Sequence, residues 1–465
     1  MRRTPLARAA LAGAWLALAT AAAGATAGHA NGRFPATTNI HFDPAKAETI
    51  YLAVTFGLLK STDGGKSFRW VCEKAIHYGG THDPDYALTP EGNIYADTFD
   101  GVLVSRNGGC VWEPVVGLDT ETYVSEVEVG PDGRVWVTSS NGGKPNDVYV
   151  SEDGTEFTTS NLPNPTGWWS SLRTTPADPQ RIYVTGYVNE NADGEKEALL
   201  RRSDDGGKTW QTLDMTKFDF AQESNFRLFG VSPTDPDVLF AHVPGIIDPT
   251  GDALYRSGDG GVTWERILEF RNVISSFHIR PDGQNVIAAS IEACPGEPDP
   301  TAKGCVQISS KAGEAGTWTA AAEQPQLACI GERSDGVLFG CAANFAPDNF
   351  ALGRSEDGQS WEKVFRFADL VGPLPCDSGT EQAQCSVTDW PGVCEMLGLC
   401  EPTDPGPEPD DGGDDEGDQP EDDGGDDEEE DSGGCCRVGG SGDTGWVPGL
   451  VVALFLVGWR SRKRR

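Results

Sequence analysis

The stretch Ser203–Trp210 reads SDDGGKTW: a serine, two aspartates, two glycines and, after two further residues, a tryptophan. Variants of this stretch, here termed SDG turns, recur along the 465-residue chain, and their first residues lie 44, 46, 52, 54, 52 and 46 residues apart. The seven copies are Ser61–Phe68, Ser105–Trp112, Ser151–Phe157, Ser203–Trp210, Ser257–Trp264, Ser309–Trp318 and Ser355–Trp361. A repeat period near 50 residues indicates a propeller or a solenoid.

A second turn motif, rich in Asp, Pro and Gly, lies upstream of each SDG turn and recurs once in every repeat. Its seven copies begin at Asp43, Pro90, Pro131, Asp178, Asp235, Pro281 and Ser334. Proline presets φ and glycine accepts positive φ, so these are tight turns. An alternating stretch such as Val127-Glu128-Val129 precedes the turn and a short apolar run such as Val135-Trp136-Val137 follows it. Each repeat therefore predicts four strands, A to D, and the chain predicts an all-β, seven-bladed β-propeller of four-stranded blades.

The SDG turn resembles the Asp box, or BNR repeat, of sialidase-like and sortilin-like propellers, and the resemblance extends from Thr37 to about Phe367. In such a hairpin the Asp carboxylate and Ser hydroxyl can satisfy turn amides while glycine takes the left-handed conformation. We therefore expect a structural and not a catalytic role for Asp63, Asp153, Asp205, Asp259 and Asp357. Propeller topology places the A–B and C–D turns on one face and the longer B–C and D–A loops on the other. The loop face and the central channel are the expected binding region.

The N-terminal segment 1–30 is typical of a secretory signal peptide, which places the propeller at 31–372. Arg2, Arg3 and Arg8 precede an Ala/Leu-rich stretch, and small-residue cleavage sites end at Ala25 or Ala27. Export would expose the cysteines to an oxidising compartment.

The net charge of −36 excludes nucleic acid as an expected partner, because phosphate binding requires a concentrated basic surface. Segment 401–431 contains eighteen Asp or Glu residues and no Lys or Arg, which is half of the net charge. Its Gly, Pro and acidic composition predicts a disordered linker over 401–434. A calcium-binding acidic repeat is the alternative for this segment.

The C-terminal segment 435–465 combines Cys435 and Cys436, an apolar run Trp446–Trp459 and a basic end. The run of 14 residues would form a short transmembrane helix about 21 Å long, against a hydrocarbon core of about 30 Å. This arrangement resembles the MYXO-CTERM sorting signal of myxobacterial surface proteins. The resemblance implies recognition by a sorting protease at Cys435 or Cys436, removal of the tail, and anchoring at the cell surface or outer membrane. A permanent membrane anchor is the alternative.

Cysteine spacing predicts several disulfides. Cys329 and Cys341 flank one predicted hairpin, and Cys294 and Cys305 would close the long loop of the sixth blade. A weaker prediction links Cys72 to Cys110. The small Cys-rich segment 373–400 contains four cysteines, for which we expect two disulfides with three pairings open; a zinc site is the alternative. The four are Cys376, Cys385, Cys394 and Cys400.

Two D–A loops contain candidate ligand-binding residues. The loop after the first blade contains His77, Tyr78, His82 and Asp83, and Trp168 and Trp169 follow the third blade. Exposed aromatic rings could contact sugars or a protein partner. The alternatives are that the two tryptophans begin the fourth A strand and pack between blades, and that His77, His82 and Asp83 bind a metal.

Two enzymatic interpretations compete with binding. A sialidase would need three convergent arginines, for which Arg173, Arg227 and Arg280 are available, and Arg33-Phe34-Pro35 resembles the Arg-Ile-Pro motif of sialidase propellers. A glycanase related to xyloglucanases would need two opposed carboxylates, for which the chain offers Asp83, Asp85 and Asp97. We expect an exported, surface-anchored, non-catalytic binding or adhesion module for an extracellular protein or glycan, without a cofactor. An extracellular glycoside hydrolase is the alternative.

Overall fold

The computed structural model describes residues 34–79, 83–99, 101–188, 196–221, 226–248, 251–271, 273–294 and 304–400. The predicted signal peptide, acidic linker and sorting signal, including Cys435 and Cys436, lie outside these residues. In the described part of the chain, no helix is both long and apolar enough to cross a membrane.

Seven blades, each with four antiparallel strands, form a β-propeller, as predicted, and the sheet of blade one gains a fifth strand from the segment after the last blade. Blade one contains β1 (Thr37–Phe42), β2 (Ile50–Val54), β3 (Gly57–Ser61) and β4 (Arg69–Val71). Blade two contains β5 (Tyr86–Leu88), β6 (Ile94–Thr98), β7 (Gly101–Ser105) and β8 (Glu113–Pro114). Blade three contains β9 (Val124–Val129), β10 (Val135–Ser139), β11 (Val148–Ser151) and β12 (Thr158–Thr159).

The remaining blades repeat this order. Blade four contains β13 (Gly167–Arg173), β14 (Ile182–Val188), β15 (Glu197–Ser203) and β16 (Gln211–Leu213). Blade five contains β17 (Arg227–Val231), β18 (Leu239–Asp248), β19 (Gly251–Ser257) and β20 (Glu265–Glu269). Blade six contains β21 (Ser276–Ile279), β22 (Val286–Ser290), β23 (Cys305–Ser309) and β24 (Thr319–Ala320). Blade seven contains β25 (Leu327–Glu332), β26 (Leu338–Ala342), β27 (Leu352–Ser355) and β28 (Glu362–Phe365).

The SDG turns are self-bonded hairpins between strands C and D. In blade five, Ser257 Oγ donates to Asp259 Oδ1 at 2.9 Å, and the amide of Gly261 donates back to Ser257 Oγ at 2.9 Å. Thr263 donates to the same carboxylate through its amide and its hydroxyl, at 2.8 and 2.6 Å. The Asp carboxylate thus satisfies the donors of a turn whose Gly261 has φ of 91°.

The SDG turns and the A–B turns share one face, as the topology predicted. Gly64, Gly206 and Gly260 each donate an amide hydrogen bond to a carbonyl of the A–B turn in the same blade. We refer to this side as the turn face and to the opposite side, which contains the B–C and D–A loops, as the loop face.

The ring closes between blades one and seven without strand exchange, because all four strands of each blade come from one repeat. Strand β1 packs beside β25 and β26, and Thr37 Oγ1 donates to the carbonyl of Ala342 at 3.3 Å. Buried aromatic residues fill the space between these blades; Phe42 and Phe339, for example, lie 5.5 Å apart.

The segment after the last blade folds back onto blades one and two. Strand β29 (Gly372–Pro373) pairs in parallel with β4, and it is followed by α1 (Glu381–Thr388) and α2 (Trp390–Met396). Short 3-10 helices occur at Lys74–Ile76 and Phe367–Asp369. The side chain of Gln382, which is fully buried, accepts from the amide of Cys72 and donates to the carbonyl of Trp70, both at 2.8 Å.

The disulfides agree with the sequence in part. Cys294 pairs with Cys305 and Cys329 with Cys341, as predicted. The predicted link between Cys72 and Cys110 is wrong, and so is the expectation of two disulfides within the segment 373–400. Only one pair lies within that segment, because its first two cysteines face the outer strands of blades one and two. The observed pairs are Cys72–Cys385, Cys110–Cys376 and Cys394–Cys400.

Candidate functional site

A cavity of about 590 Å³ opens where the innermost strands of blades two to five begin, on the loop face. We refer to it as the channel-mouth pocket. Its walls combine carboxylates, aromatic rings and hydroxyl groups with one arginine and one histidine. The lining residues are Asp83, Asp85, Asp97, Tyr123, Ser125, Glu126, Ser140, Trp169, Ser170, Tyr187, Arg227, His242 and Pro244.

Two aspartates of blade two define the acidic wall. Asp85 immediately precedes β5, and Asp97 lies near the end of β6, so the A–B hairpin brings them together. The amide of Asp85 donates to Asp97 Oδ1 at 2.6 Å. The Asp85 carboxylate accepts from the side-chain amide of Asn39 at 2.8 Å and lies 3.3 Å from His41 Nε2 on β1. Asp85 is 43% exposed at its side chain, whereas Asp97 is only 3% exposed.

The environment shifts the pKa values of this pair in opposite directions. Burial raises the pKa of Asp97 well above its usual range, and repulsion from Asp85 adds to the rise. Burial opposes ionisation of Asp85 as well, but the hydrogen bond and charge of His41 outweigh it and lower the pKa of Asp85. The environment therefore favours the protonated form of Asp97 and the ionised form of Asp85.

Glu126 on β9 extends the acidic wall into blade three. It is 7% exposed, and burial raises its pKa, although Arg173 and Arg227 oppose the rise. Arg173 Nη1 lies 2.9 Å from Glu126 Oε1, and Arg227 Nη2 lies 3.8 Å from Glu126 Oε2. Among the described residues, Oε2 has no hydrogen-bond partner. A buried carboxylate oxygen without a donor is costly unless a ligand or water supplies one.

Blade five contributes Arg227 and His242 to the lining of the pocket. Arg227 and His242 are cross-strand neighbours on β17 and β18. His242 Nε2 lies 2.7 Å from Asp252 Oδ2, and that carboxylate also accepts from the amide of Ile274 at 2.9 Å. The imidazole stacks on Phe229 with ring centroids 4.6 Å apart, so its orientation is fixed.

Two stacked aromatic pairs stand at the pocket. Phe99 stacks on Tyr123 with ring centroids 5.0 Å apart, and Trp168 stacks on Tyr187 at 5.2 Å. Tyr123 and Tyr187 line the pocket. Phe99 is 52% exposed, and Trp168 is partly buried. Each pair thus contributes one tyrosine to the pocket lining, with a second aromatic ring stacked against it.

Only some of the residues predicted to bind a ligand line the channel-mouth pocket. Trp168 and Trp169 lie in β13, as the structural alternative predicted; Trp169 is 1% exposed and donates to the carbonyl of Leu162. Asp83 and Trp169 line the pocket. Tyr78 is buried in the core of blade one, and His77 is exposed next to the 3-10 helix, outside the lining set. His82 lies outside the described residues.

The three arginines of the sialidase interpretation do not meet. Arg173 and Arg227 both reach Glu126, but Arg280 binds Glu332 and the carbonyl of Glu356 in an SDG turn, at the turn face. Within the described part of the chain, no group of three or more His, Cys, Asp or Glu residues is arranged to hold a metal ion.

The sequence reasoning missed Glu126, Tyr123, Tyr187 and His242. Tyr123 and Glu126 lie at or near the beginning of an A strand, and Tyr187 lies near the end of a B strand. His242 lies in the first half of the B strand β18, opposite Arg227. A polar residue directly after the apolar run of a B strand was the available signal: Asp97 follows Ile94-Tyr95-Ala96, and His242 follows Leu239-Phe240-Ala241.

Comparison with known proteins identifies partial relatives. No family model matches the chain. A xyloglucanase of Paenibacillus sp. is 28% identical over 168 residues, which cover 31% of this chain and 16% of the relative. A xyloglucanase of Acetivibrio thermocellus is 31% identical over 106 residues, which cover 22% of this chain and 12% of the relative. The chain therefore matches less than one fifth of the length of either enzyme.

Solved structures with the same kind of fold are distant in sequence. The GH74 xyloglucanase from Xanthomonas campestris is 16% identical with a TM-score of 0.36, and the match covers 72% of this chain and 58% of that one. YCF48 from Cyanidioschyzon merolae is 13% identical with a TM-score of 0.41, and the match covers 68% and 96% of the two chains.

Proposed function

We propose that the chain is an exported propeller that binds a glycan in the channel-mouth pocket. The observation that carries the proposal is the combination of stacked aromatic pairs with carboxylates in one cavity. Sugar rings present C–H faces that pack on aromatic rings and hydroxyl groups that donate to carboxylates. The partial similarity to enzymes named xyloglucanases supports a glycan as the ligand class.

Aromatic truncation tests this proposal. The Tyr123→Ala and Tyr187→Ala variants should each weaken glycan binding by roughly tenfold, which corresponds to about 1.4 kcal/mol. Phe345→Ala is the matched control, because Phe345 is 42% exposed but does not line the pocket. A glycan array followed by calorimetry on the purified propeller measures the effect. Equal loss in the control and the pocket variants would refute binding at this site.

Glycoside hydrolysis is the second candidate, and the partial similarity to enzymes named xyloglucanases favours it; Asp97 and Asp85 are the two carboxyls to test. A carboxyl that keeps its proton can act as a general acid, and an ionised neighbour can act as a base or nucleophile. If the propeller is a hydrolase, Asp97→Asn and Asp85→Asn should both abolish release of reducing ends from polysaccharides. Binding without turnover in the unaltered protein would leave the binding module as the function.

Anchoring at the cell surface is the last part of the proposal. The sequence supports it through the acidic linker and the Cys435-Cys436 segment with its apolar run and basic end. Mass spectrometry of the surface fraction should find a mature C-terminus near Cys435 or Cys436. An intact Arg465 in that fraction would contradict processing and favour a permanent anchor.

A further inference from the structure

The fold fixes the orientation of His242 in the channel-mouth pocket from two sides. Nε2 of its imidazole lies 2.7 Å from Asp252 Oδ2, and the ring stacks on Phe229 with centroids 4.6 Å apart and an interplanar angle of 15°. Asp252 is itself held in place, since it is 3% exposed and accepts from the amides of Ile274 and Gly245. The imidazole cannot turn over without breaking the bond to the carboxylate.

The bond to Asp252 determines what the other ring nitrogen of His242 can do. A carboxylate only accepts hydrogen bonds, so the proton of the neutral imidazole lies on Nε2. Nδ1 then carries a lone pair and is an acceptor. In the described part of the chain no group donates to Nδ1, and this atom is accessible, in contrast to Glu126 Oε2. Because His242 lines the pocket, an acceptor nitrogen of fixed orientation is available to a ligand.

Several other polar groups that line the pocket are already bonded within the protein. The bonded groups are Asp85 with His41, Glu126 with Arg173, and Ser125 and Ser140 with the carbonyl of Trp169. A ligand hydroxyl would have to compete with these contacts, whereas Nδ1 of His242 can accept a donor without any rearrangement.

We propose that His242 binds a hydroxyl group of the glycan through Nδ1, with Asp252 as the positioning residue that keeps this nitrogen an acceptor. This inference rests on the glycan-binding function proposed above and adds a specificity determinant to it. A hydroxyl is the donor that a neutral sugar supplies, and a sugar with an ether or ester oxygen at that position has no proton to donate. The pocket should therefore select a free hydroxyl where the ligand meets blade five.

Histidine NMR tests the contact directly. The chain contains six histidines, and the side-chain nitrogen signals of His242 can be assigned in isotope-labelled protein through contacts with the Phe229 ring. The probes are cellohexaose, an unbranched glucose hexamer, and a xyloglucan oligosaccharide. Saturation with a probe should shift the Nδ1 signal of His242 and leave the Nε2 signal, which stays bonded to Asp252, nearly unchanged. An unchanged Nδ1 signal at saturation, or a proton on Nδ1 in the free protein, overturns the inference.

The positioning role of Asp252 has its own readout in the same spectrum. Asp252→Ala should let the imidazole of His242 exchange between its two neutral tautomers and should weaken binding of the probe. Asp252→Ser is the second variant if Asp252→Ala does not fold. An imidazole that keeps its proton on Nε2 in the variant would show that Asp252 does not set the tautomer.

A substitution that imitates only one ring nitrogen locates the effect on affinity. Glutamine reaches the position of Nε2 and can keep the hydrogen bond to Asp252, but it has no group at the position of Nδ1. His242→Gln should therefore bind the probe roughly tenfold more weakly in calorimetry, because a sugar hydroxyl loses its acceptor. His278→Gln is the matched control, since His278 is also paired with a buried carboxylate, Glu332 at 3.0 Å, but does not line the pocket. The control should keep the full affinity, and the NMR titration of the unaltered protein decides alone if His242→Gln does not fold.

The outcomes separate this inference from the proposed function. Loss of affinity in Tyr187→Ala together with full affinity in His242→Gln overturns the inference and leaves the glycan-binding function. Equal loss in His242→Gln and His278→Gln also overturns it, because the effect then lies in the fold and not in the pocket. If neither probe binds to the unaltered protein, the inference fails, and a glycan array without any bound glycan then overturns the function as well.

Discussion

Replacement of Asp97 by asparagine should make the protein more stable at neutral pH and flatten the dependence of its stability on pH. Asp97 is 3% exposed, and its raised pKa means that the folded protein retains a proton that the unfolded chain has lost. In the pH range above the unfolded pKa of about 3.9, the unfolded state binds fewer protons than the folded state. The free energy of unfolding therefore falls as pH rises through this range, until the pH passes the folded pKa.

The slope has a definite size. One proton of difference between the two states changes the free energy of unfolding by about 1.4 kcal/mol per pH unit. Asparagine resembles the protonated carboxyl, and its oxygen can still accept from the amide of Asp85, which lies 2.6 Å from Asp97 Oδ1. Asp97→Asn should therefore lack this slope. Glu128, whose pKa burial raises to about 6, titrates in both proteins and cancels from the difference.

Urea-induced unfolding followed by tryptophan fluorescence at intervals between pH 4.5 and 7.5 measures the two profiles. Asp85→Asn is the control, and its effect on stability should have the opposite sign. The folded protein lowers the pKa of Asp85, so the ionised side chain stabilises the fold at pH values above the pKa that Asp85 has in the unfolded chain. That variant should be less stable at pH 7 and should also shrink the Asp97 slope, because the charge of Asp85 helps to raise the pKa of Asp97. Parallel profiles for Asp97→Asn and the unaltered protein would refute the assignment of a proton to Asp97.

Three further predictions concern the scaffold. Cys72→Ala and Cys110→Ala should each lower the free energy of unfolding in urea by about 4 kcal/mol, because with one long disulfide in place the other closes a loop of roughly 50 residues. The double variant should lose more stability than the sum of the two single variants, because the remaining chain is then free over a much longer loop. Strict additivity would contradict this nested arrangement. Gly186→Ala should lower the free energy of unfolding by about 1–3 kcal/mol and weaken glycan binding, because the added Cβ would lie 2.2 Å from the carbonyl oxygen of Trp168. Gly142→Ala is the control: its Cβ would meet open space, so its thermal midpoint should be unchanged. Asp259→Ala should lower the thermal midpoint but leave the dissociation constant for glycan unchanged; a change in affinity would argue against a purely structural SDG turn.

The repeat pattern was sufficient to predict the blades because each blade is a local structure. Ser257, Asp259 and Gly261 lie within five residues of one another and form the turn by themselves. Variants of this turn recur in each repeat, with Asn107 at the aspartate position in blade two and Lys311 there in blade six. The number of blades and the identity of the turn face therefore follow from sequence spacing alone.

Features that depend on the closed ring could not be read from the chain in the same way. Cys72 and Cys385 are 313 residues apart, and nothing local to either indicates its partner. The pocket is equally non-local, because Asp85, Glu126 and Arg227 belong to three different blades and meet only where the inner strands converge. In the sequence, Asp85 and Asp97 are two acidic residues among many. Burial, the contact of Asp85 with His41 and the repulsion between the two carboxyls arise only in the folded protein, and they set the pKa values of this pair apart from those of the other acids.

The C-terminal fold-back would determine where a force applied at the C-terminus enters the propeller. Since each blade is built from a single repeat, blades one and seven are held together by packing and a few hydrogen bonds and not by a shared sheet. A force applied beyond residue 400 would reach Cys376 and Cys385 before it reached blade seven. Both cysteines are bonded to the first two blades, so the load enters blades one and two through covalent bonds and bypasses blade seven. If the acidic segment is a surface tether, reduction of these two disulfides should transfer the load to blade seven, which should then be the first blade to unfold under tension.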